Sequence, residues 1–375
     1  MASPRPSIGI FLARPERTFY MAQKLRERGF PVVHYNIEGY NGDPYVKISR
    51  KGVAALTYLL RRTHHDVYFT SIGFVPVFGL YLNRLLRRKP YVYNATGVKW
   101  AFFGDRSRGK PFARFYERRL YPFLMDRTFG GASRIVCNSH FLESTLSERY
   151  PQSRNRFLTI YNGIEFERYS SGRRQIIPGT TADDILLLCV TALNFENKSR
   201  GLGLVIDAFG LVQEKRKRVK LVIAAKTANP VYQQWAEDYL RAKPWRDSVR
   251  LLYNQQNIPD LLASSDIFVY ATPHNSNDSL PRALLEAQAA GLPVVTTDTT
   301  GCPEIVQDQV TGFVVPYESK PMAERIVQLV DSPPLRGEWG KAAQQRIAQI
   351  FNWDCMADQY AQVFLEVAQQ SAGNG

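Results

Sequence analysis

Apolar runs of strand character alternate with helical patterns from one end of the chain to the other, and this alternation restricts the fold more than any other feature. Neighbouring parallel strands need a long crossover connection, usually a helix, so alternation predicts parallel sheets with helices on their faces. Six strand-like runs fill the first half, and a second series begins at Ile185. The pattern therefore predicts two doubly wound α/β domains.

The twelve predicted strands fall into two groups. They are Ile8–Leu12, Val32–Asn36, Val67–Ser71, Tyr91–Asn94, Ile135–Asn138 and Phe157–Tyr161, then Ile185–Thr191, Leu221–Ala225, Val249–Tyr253, Ile267–Ala271, Val294–Thr297 and Phe313–Val315. Helices are predicted over Phe19–Arg28, Val77–Arg88 and Leu204–Val212. A stretch rich in Gly, Ser and Pro predicts a linker at 166–182. The domains would then be 1–165 and 183–348, followed by a C-terminal segment, 349–375.

Charge is distributed unevenly over the 375 residues. Residues 1–170 carry 28 Lys and Arg against 12 Asp and Glu, whereas the remaining residues carry 20 against 22. A basic first half suggests an anionic partner, such as lipid head groups, a lipid-linked phosphate or nucleic acid. The four cysteines are scattered without a CxxC pair, and the first residues lack the apolar core of a signal peptide. Both observations favour a reduced, cytoplasmic protein.

Aromatic and basic residues are interleaved between Trp100 and Arg127, and a second basic cluster lies at Arg84–Lys89. Such interleaving suits the interface of an anionic membrane, where rings sit at head-group depth and cations face phosphates. A long helix with a core face and a solvated basic face is the alternative. The uncharged run Val67–Asn83 is interrupted by Gly and Pro, and it is interpreted as a strand, a loop and a buried helix rather than a membrane span.

The segment Asn277–Pro316 carries the most specific pattern. It predicts a loop, a helix, a buried strand, a Gly/Pro-rich loop and a further strand. Pro281 suits a first helical turn, and Asp278 or Ser279 could cap the free amides there. Glu286 follows Asp278 by eight residues, two turns into the helix. A helix start with free N–H groups is a ready phosphate site.

This segment resembles the donor-binding signature of retaining glycosyltransferases of family 4, which have the GT-B fold. The likeness rests on Glu286 with the following Ala287–Val295, on Gly301–Val306 and on Thr311–Val315. Asp278 stands where the family usually has its first Glu, and Ser279-Leu280-Pro281 replaces Gly-Phe-Gly. Phe351-Asn352-Trp353 and the helix after it resemble the family's C-terminal segment. The resemblance implies two Rossmann-like domains facing a central cleft, with the last helix crossing back to the first domain.

By this resemblance Glu286 would accept hydrogen bonds from the donor's ribose, and Asp278 would approach the transferred sugar. Lys198 or Arg200, in a loop before the helix near Leu204, would meet the diphosphate, and the residues alone do not choose between them. Asp278 could instead cap its helix, Glu286 could pair with Arg282, and the cations could be solvated. No two Asp stand at i and i+2, so a metal held by Asp-x-Asp is not expected.

The resemblance also implicates residues that would bind the donor and residues that would bind the acceptor. On the donor side they are Ser279, Leu280, Pro281, Arg282, Lys226 and Glu304; on the acceptor side they are Arg14, Arg17, Thr96 and Gly97. Lys226 ends a predicted strand and could equally be a surface lysine. Arg14 and Arg17 fall in a predicted loop after the first strand. Thr96 and Gly97 follow the fourth predicted strand, where many relatives place a His that this chain lacks.

The resemblance implies transfer of a hexose-type sugar from a UDP- or GDP-sugar, with retention at the anomeric carbon and without a cofactor or metal. A lipid-linked or polysaccharide acceptor and a role in envelope, exopolysaccharide or glycolipid synthesis would fit peripheral contact with the inner face of a membrane. Three alternatives stay open. They are an inverting transferase or nucleotide-sugar epimerase of the same fold, a nucleic-acid-binding protein, and an NAD-dependent dehydrogenase, although no GxGxxG fingerprint follows a strand.

Overall fold

The computed structural model describes residues 5–11, 15–36, 45–48, 53–71, 74–96, 121–194, 196–276 and 278–373. The chain divides into two compact units. The first consists of Met1–Gly163 together with Trp353–Gly375, and the second is the continuous segment Ile164–Asn352. The first unit is therefore built from both ends of the sequence.

Each unit contains one sheet whose neighbouring strands are all parallel. The first sheet comprises β1 (Ile8–Phe11), β2 (Val32–Asn36), β3 (Tyr45–Lys47), β4 (Val67–Thr70), β5 (Tyr91–Ala95), β6 (Arg134–Cys137) and β7 (Phe157–Thr159), in the order β3-β2-β1-β4-β5-β6-β7. The second comprises β8 (Ile185–Leu193), β9 (Val219–Ala228), β10 (Val249–Tyr253), β11 (Ile267–Tyr270), β12 (Val294–Thr297) and β13 (Gly312–Val315), in the order β10-β9-β8-β11-β12-β13. The predicted parallel α/β class is thus confirmed. Strand β3 was not predicted, since it is a three-residue edge strand without buried apolar residues.

Fourteen α-helices connect these strands within the described ranges. They are α1 (Pro15–Glu27), α2 (Val53–Arg62), α3 (Phe74–Arg87), α4 (Tyr121–Gly131), α5 (His140–Arg149), α6 (Phe166–Ser170), α7 (Glu196–Lys215), α8 (Pro230–Arg241), α9 (Ile258–Ala263), α10 (Arg282–Ala289), α11 (Cys302–Ile305), α12 (Ser319–Asp331), α13 (Pro333–Ile350) and α14 (Trp353–Gly373). No helix of the described segments is long and apolar enough to cross a bilayer.

The last helix completes the core of the first unit. On α14, the rings of Tyr360 and Phe364 lie 5.7 and 6.0 Å from the ring of Phe69 on β4. All three side chains are buried, and burial of an aromatic ring is among the larger single contributions to a core. The chain also leaves and re-enters this unit at one place, because a Cβ on Gly163 would lie 2.9 Å from the Cα of Trp353.

The predicted linker at 166–182 is structured and lies within the second unit. It begins with α6, whose Tyr169 is buried, and Ile177 further along is buried as well. Gly172 lies so close to Pro259 that a Cβ on residue 172 would be 2.2 Å from the Pro259 carbonyl oxygen. The Gly- and Ser-rich composition therefore marks close packing here rather than a free tether.

Helix α7 begins earlier than its sequence pattern predicts. Lys198 and Arg200 lie inside its first turns rather than in a preceding loop. The sequence did not predict this start because Gly201 and Gly203 have low helix propensity and interrupt the helical pattern. At Gly201 the glycine has a packing reason, since a Cβ would meet the carbonyl oxygen of Ala271 at 2.1 Å.

Candidate functional site

The second sheet reverses its strand order between β8 and β11, which pair directly in parallel. In open α/β sheets, ligands bind outside the carboxyl ends of the strands at such a switch point. Helix α7 follows β8 at this edge, and the loop that carries Asp278 follows β11. The topology therefore brings together Lys198 and Asp278, which are 80 positions apart in sequence.

The side chains of Lys198 and Asp278 form an ion pair at this edge. Each side chain is 22% exposed, so the pair is largely withdrawn from water yet still accessible to a ligand. Burial opposes ionisation of Asp278, but the Lys198 ammonium and the hydrogen bonds to the carboxylate outweigh it, and the pKa of Asp278 lies below its usual value. Asp278 is therefore a carboxylate at neutral pH.

Tyr270, the last residue of β11, joins this pair. Its hydroxyl accepts a hydrogen bond from Lys198 Nζ at 2.7 Å and donates one to Asp278. Burial and then the Asp278 charge raise the pKa of Tyr270 well above its usual value, so the phenol keeps its proton. Lys198 Nζ also lies 5.3 Å from the centre of the Tyr270 ring. Lys198, Tyr270 and Asp278, called the edge triad below, form one hydrogen-bonded group.

A second group surrounds Glu286, which is 1% exposed. Lys226 Nζ contacts both carboxylate oxygens, at 2.8 Å for Oε1 and 2.6 Å for Oε2. The Tyr169 hydroxyl donates to Oε1 at 3.0 Å, and Arg282 Nε lies 3.4 Å from the same oxygen. Burial and then the charge of Glu286 raise the pKa of Tyr169 to about 12, which keeps this phenol a donor. The alternative pairing of Glu286 with Arg282 is thus present, but as one contact among three.

The beginning of α10 differs in detail from its prediction. Pro281 occupies the N-cap position, and no side chain caps the helix there. Asp278 is directed to the edge triad instead, because Lys198 offers it a charged partner. Ser279 and Leu280 are buried, and Gly301 packs against them so closely that a Cβ would lie 2.0 Å from the Ser279 carbonyl oxygen.

Glu304 lies on α11, the short helix that follows Gly301, and it is half-buried. Its carbonyl oxygen accepts a hydrogen bond from Arg346 on α13 at 2.9 Å. That bond attaches the loop between β12 and β13 to the body of the second unit. The backbone of this loop is therefore held, and the role of the Glu304 carboxylate stays a prediction.

Arg200 is separated from the edge triad. It lies two residues after Lys198 on α7, and side chains at that spacing do not share a helix face. Arg200 lines an open groove of about 550 Å³ together with Leu204, Trp235 and Tyr317. Neither Lys198 nor Asp278 lines this groove. The structure thus places Lys198, and not Arg200, with the carboxylate of Asp278.

The predicted acceptor-side residues belong to the first unit. Arg14 and Gly97 lie outside the described residues, as do most of the interleaved residues between Trp100 and Arg127. Arg17 lies within α1, which begins at Pro15, so the loop predicted for it is shorter than expected. Thr96 directly follows β5 and is half-buried.

Two tyrosines of these groups, Tyr270 and Tyr169, were not predicted from the sequence. Tyr270 had a usable signal, since it ends a strand at the carboxyl edge just before the loop that carries Asp278. Tyr169 had none, because it lies 117 residues from Glu286 in a segment interpreted as a linker. Within the described ranges, no three His, Cys, Asp or Glu side chains are grouped as metal ligands.

The edge triad and the Glu286 group supply cations, carboxylates and a helix N-terminus on one sheet edge. This set can bind a phosphate and hydroxyl groups at the same time. Two all-parallel α/β units, with the final helix returned to the first, define the GT-B class of glycosyltransferase folds.

Two family models match the chain on either side of residue 170. Residues 2–168 match "Glycosyltransferase Family 4", and residues 176–346 match "Glycosyl transferases group 1". Together the matches extend over most of the sequence. The chain therefore belongs to the group 1 glycosyltransferases, as its donor-binding signature indicated.

Individual relatives are more distant. Spore coat protein SA of Bacillus subtilis is 24% identical over 249 residues, which are 62% of this chain and 64% of that protein. The chain thus covers slightly less than two thirds of this relative's length. A glycosyltransferase from Rickettsia africae superposes with a TM-score of 0.76 at 15% identity, over 97% of this chain and 99% of that one. The Anabaena protein Alr3699/HepE, solved in complex with UDP-glucose, gives 0.72 at 16% identity over 96% and 100%. At such identities the superpositions demonstrate the fold.

Proposed function

We propose that the protein is a retaining glycosyltransferase that moves a hexose-type sugar from a UDP- or GDP-sugar to a lipid-linked or polysaccharide acceptor. The observation that carries the proposal is the edge triad at the switch point, with Glu286 eight residues after Asp278, in the second turn of α10. Membership of the group 1 glycosyltransferases supports the reaction class. The complex of the Anabaena protein with UDP-glucose supports a nucleotide-sugar donor.

The donor's diphosphate would lie between Lys198 and the free amides at the beginning of α10. Breaking the bond between the sugar and the diphosphate leaves an extra negative charge on the leaving oxygen. Preorganised cations and amide dipoles stabilise such charge, and they do so best where water is excluded. The contacts of its ammonium with Tyr270 and Asp278 at the edge support this role for Lys198.

Asp278 and Glu286 would act on opposite ends of the donor. Glu286 would accept from the ribose hydroxyls, since a buried carboxylate with two acceptor oxygens suits a diol. Asp278, one methylene shorter than the family's usual Glu, would face the transferred sugar. Ser279, Leu280, Pro281 and Arg282 would shape the phosphate end, with Glu304 beside them.

The proposed chemistry is a single exchange at the anomeric carbon. The acceptor hydroxyl attacks from the face that the diphosphate leaves, a new C–O bond forms, and the C–O bond to the phosphate breaks. The leaving diphosphate takes the proton of the hydroxyl. The anomeric configuration is retained, and neither a separate base nor a metal is required by this scheme.

The acceptor would bind at the first unit, through Arg14, Arg17, Thr96 and Gly97, at the inner face of a membrane. Helix α3 supports the membrane contact: Leu85 and Leu86 on its last turns are 60% and 68% exposed. These leucines lie within the basic cluster Arg84–Lys89, and exposed apolar groups among cations suit an anionic interface. An envelope, exopolysaccharide or glycolipid product would follow from such a location.

Calorimetric titration tests the donor site directly. The protein is titrated with UDP, GDP and ADP in the presence of a chelator, beside Glu286→Ala. We expect micromolar binding of one nucleotide and a loss of about tenfold or more in the variant, because a buried acceptor of two hydrogen bonds is removed. Failure of all three nucleotides to bind would refute the proposal. Anomeric analysis of the product would then separate a retaining from an inverting enzyme.

A further inference from the structure

Glu286 already accepts hydrogen bonds from its own chain, although the proposed function assigns it to the ribose. Oε1 contacts Lys226, Tyr169 and Arg282, while Oε2 contacts Lys226. A carboxylate offers about four lone-pair directions over its two oxygens. The two hydrogen bonds on Oε1 use both of its directions and the one on Oε2 leaves a single direction open, so two ribose hydroxyls cannot be added without the departure of a donor that is already there.

Lys226 is the donor able to leave. It contacts both oxygens, so its departure frees a direction on each and lets Glu286 accept from both hydroxyls of a ribose diol. Its side chain is 37% exposed, whereas the Glu286 side chain is 1% exposed and fixed within α10. A lysine arm with four rotatable bonds can move into solvent, but the buried carboxylate cannot follow it.

The remaining partners hold Glu286 in place once Lys226 has moved. Tyr169 is buried on α6 and keeps its proton, since burial and the Glu286 charge raise its pKa to about 12. Arg282 lies one turn before Glu286 on the same helix and also approaches Glu165 at 3.7 Å. The carboxylate would thus keep Tyr169 as a hydrogen-bond donor and the Arg282 guanidinium as a nearby positive charge in addition to the ribose.

We propose that Lys226 occupies the ribose position on Glu286 in the free protein, and that its ammonium passes to the donor's diphosphate when a nucleotide binds. The diphosphate carries at least two negative charges and arrives as the ion pair opens, so the displaced cation gains a stronger partner. The inference rests on the proposed function. It assigns Lys226 two opposite effects, competition with the ribose and attraction of the diphosphate.

These effects separate when a nucleoside is compared with its diphosphate. We would measure the affinities of both, for the base that the wild type prefers, in the wild-type protein and in Lys226→Met. The variant should bind the nucleoside at least as tightly as the wild type, because the competitor is gone. It should bind the nucleoside diphosphate about tenfold more weakly, because a charge-assisted contact is lost.

Lys220→Met is the matched control. Lys220 lies near the other end of β9, where its ammonium is 3.3 Å from Ser248 Oγ, and its removal makes the same change of charge and length. Both of its affinities should equal those of the wild type. Lys226→Gln is the second variant, since it leaves Glu286 a neutral donor; it should also weaken the diphosphate selectively, even if Lys226→Met proves too unstable to titrate.

The outcomes distinguish the inference from the function beneath it. Equal weakening of nucleoside and diphosphate would make Lys226 a structural support for Glu286 and would overturn the inference alone. If Lys226→Met bound the nucleoside and the diphosphate as tightly as the wild type, Lys226 would have no part in nucleotide binding. This result would also overturn the inference alone. A wild-type protein that binds no nucleoside diphosphate would overturn the proposed function and the inference together.

Discussion

Replacing Lys198 by Met should destabilise the second unit in a manner that depends on pH. The substitution keeps the length of the side chain but leaves Asp278 with Tyr270 as its hydrogen-bond donor in the edge triad. Removal of one partner from a buried ion pair destabilises a protein by about 3–5 kcal/mol. Since about a fifth of each side chain reaches solvent, the lower end of that range, about 3 kcal/mol at pH 7, is the expected loss.

The pH dependence follows from the direction of the pKa of Asp278 in each protein. In the wild type the folded-state pKa is below the unfolded value of about 3.9, so the stabilisation is complete above that pH and is lost as pH falls through the folded-state pKa. In Lys198→Met the Lys198 charge is absent and burial raises the pKa of Asp278. The carboxyl group then takes up a proton more readily in the folded state, and the penalty fades as pH falls.

Urea unfolding at pH 7 and pH 4.5 measures this difference. The fluorescence of Trp235, Trp245 and Trp339 in the second unit reports the unfolding. The loss of stability should be about 3 kcal/mol at pH 7 and clearly smaller at pH 4.5. Lys320→Met, on an exposed lysine at the beginning of α12, should change stability by less than about 0.5 kcal/mol at either pH. An equal loss for Lys198→Met at both pH values would refute the assignment of the effect to the charge of Asp278.

Two further predictions test the close approach at Gly201 and the hydrogen bond from Tyr169 to Glu286. Gly201→Ala should destabilise the protein by about 2 kcal/mol, because the new Cβ would lie 2.1 Å from the carbonyl oxygen of Ala271. Gly203→Ala, on the same helix and with Trp235 at an ordinary 3.7 Å, should instead stabilise it by about 0.5–1 kcal/mol, as thermal unfolding of the two variants would show; the same sign for both would contradict the packing argument. Tyr169→Phe should weaken nucleotide binding about fivefold in calorimetry, since Glu286 loses a donor that holds it, whereas full affinity would mean that Arg282 alone is sufficient.

The parallel fold could be predicted because its signal is local. Strands such as β2, β10 and β12 are apolar runs between turn residues, and their predicted bounds agree with the structure. The beginning of α7 could not be predicted in this way. The glycine that interrupts its pattern, Gly201, is required by a close approach of Ala271, which is 70 residues later in the sequence.

The candidate site was predictable where a motif supplied it. Asp278 and Glu286 were singled out by their resemblance to the donor-binding signature, and Lys198 and Arg200 together by their place between a strand and a helix. The choice of Lys198 over Arg200 as the partner of Asp278 required the helix geometry, because the sequence presents both as cations of one short segment. The hydrogen bonds from Tyr169 and Lys226 to Glu286 could not be predicted from the sequence either, because only the fold brings these residues close to Glu286.

The close approach of Gly163 to Trp353 has a consequence for the order in which the two units are completed during synthesis. The first unit lacks α14, and with it the rings of Tyr360 and Phe364, until the ribosome has passed the whole second unit. Synthesis of the 189 residues from Ile164 to Asn352 takes about 10–40 s at typical translation rates. Until then the contacts of Tyr360 and Phe364 with Phe69 on β4 are missing, whereas the second unit needs no residue outside Ile164–Asn352 for its own core. The half that is synthesised first is thus the half that is completed last.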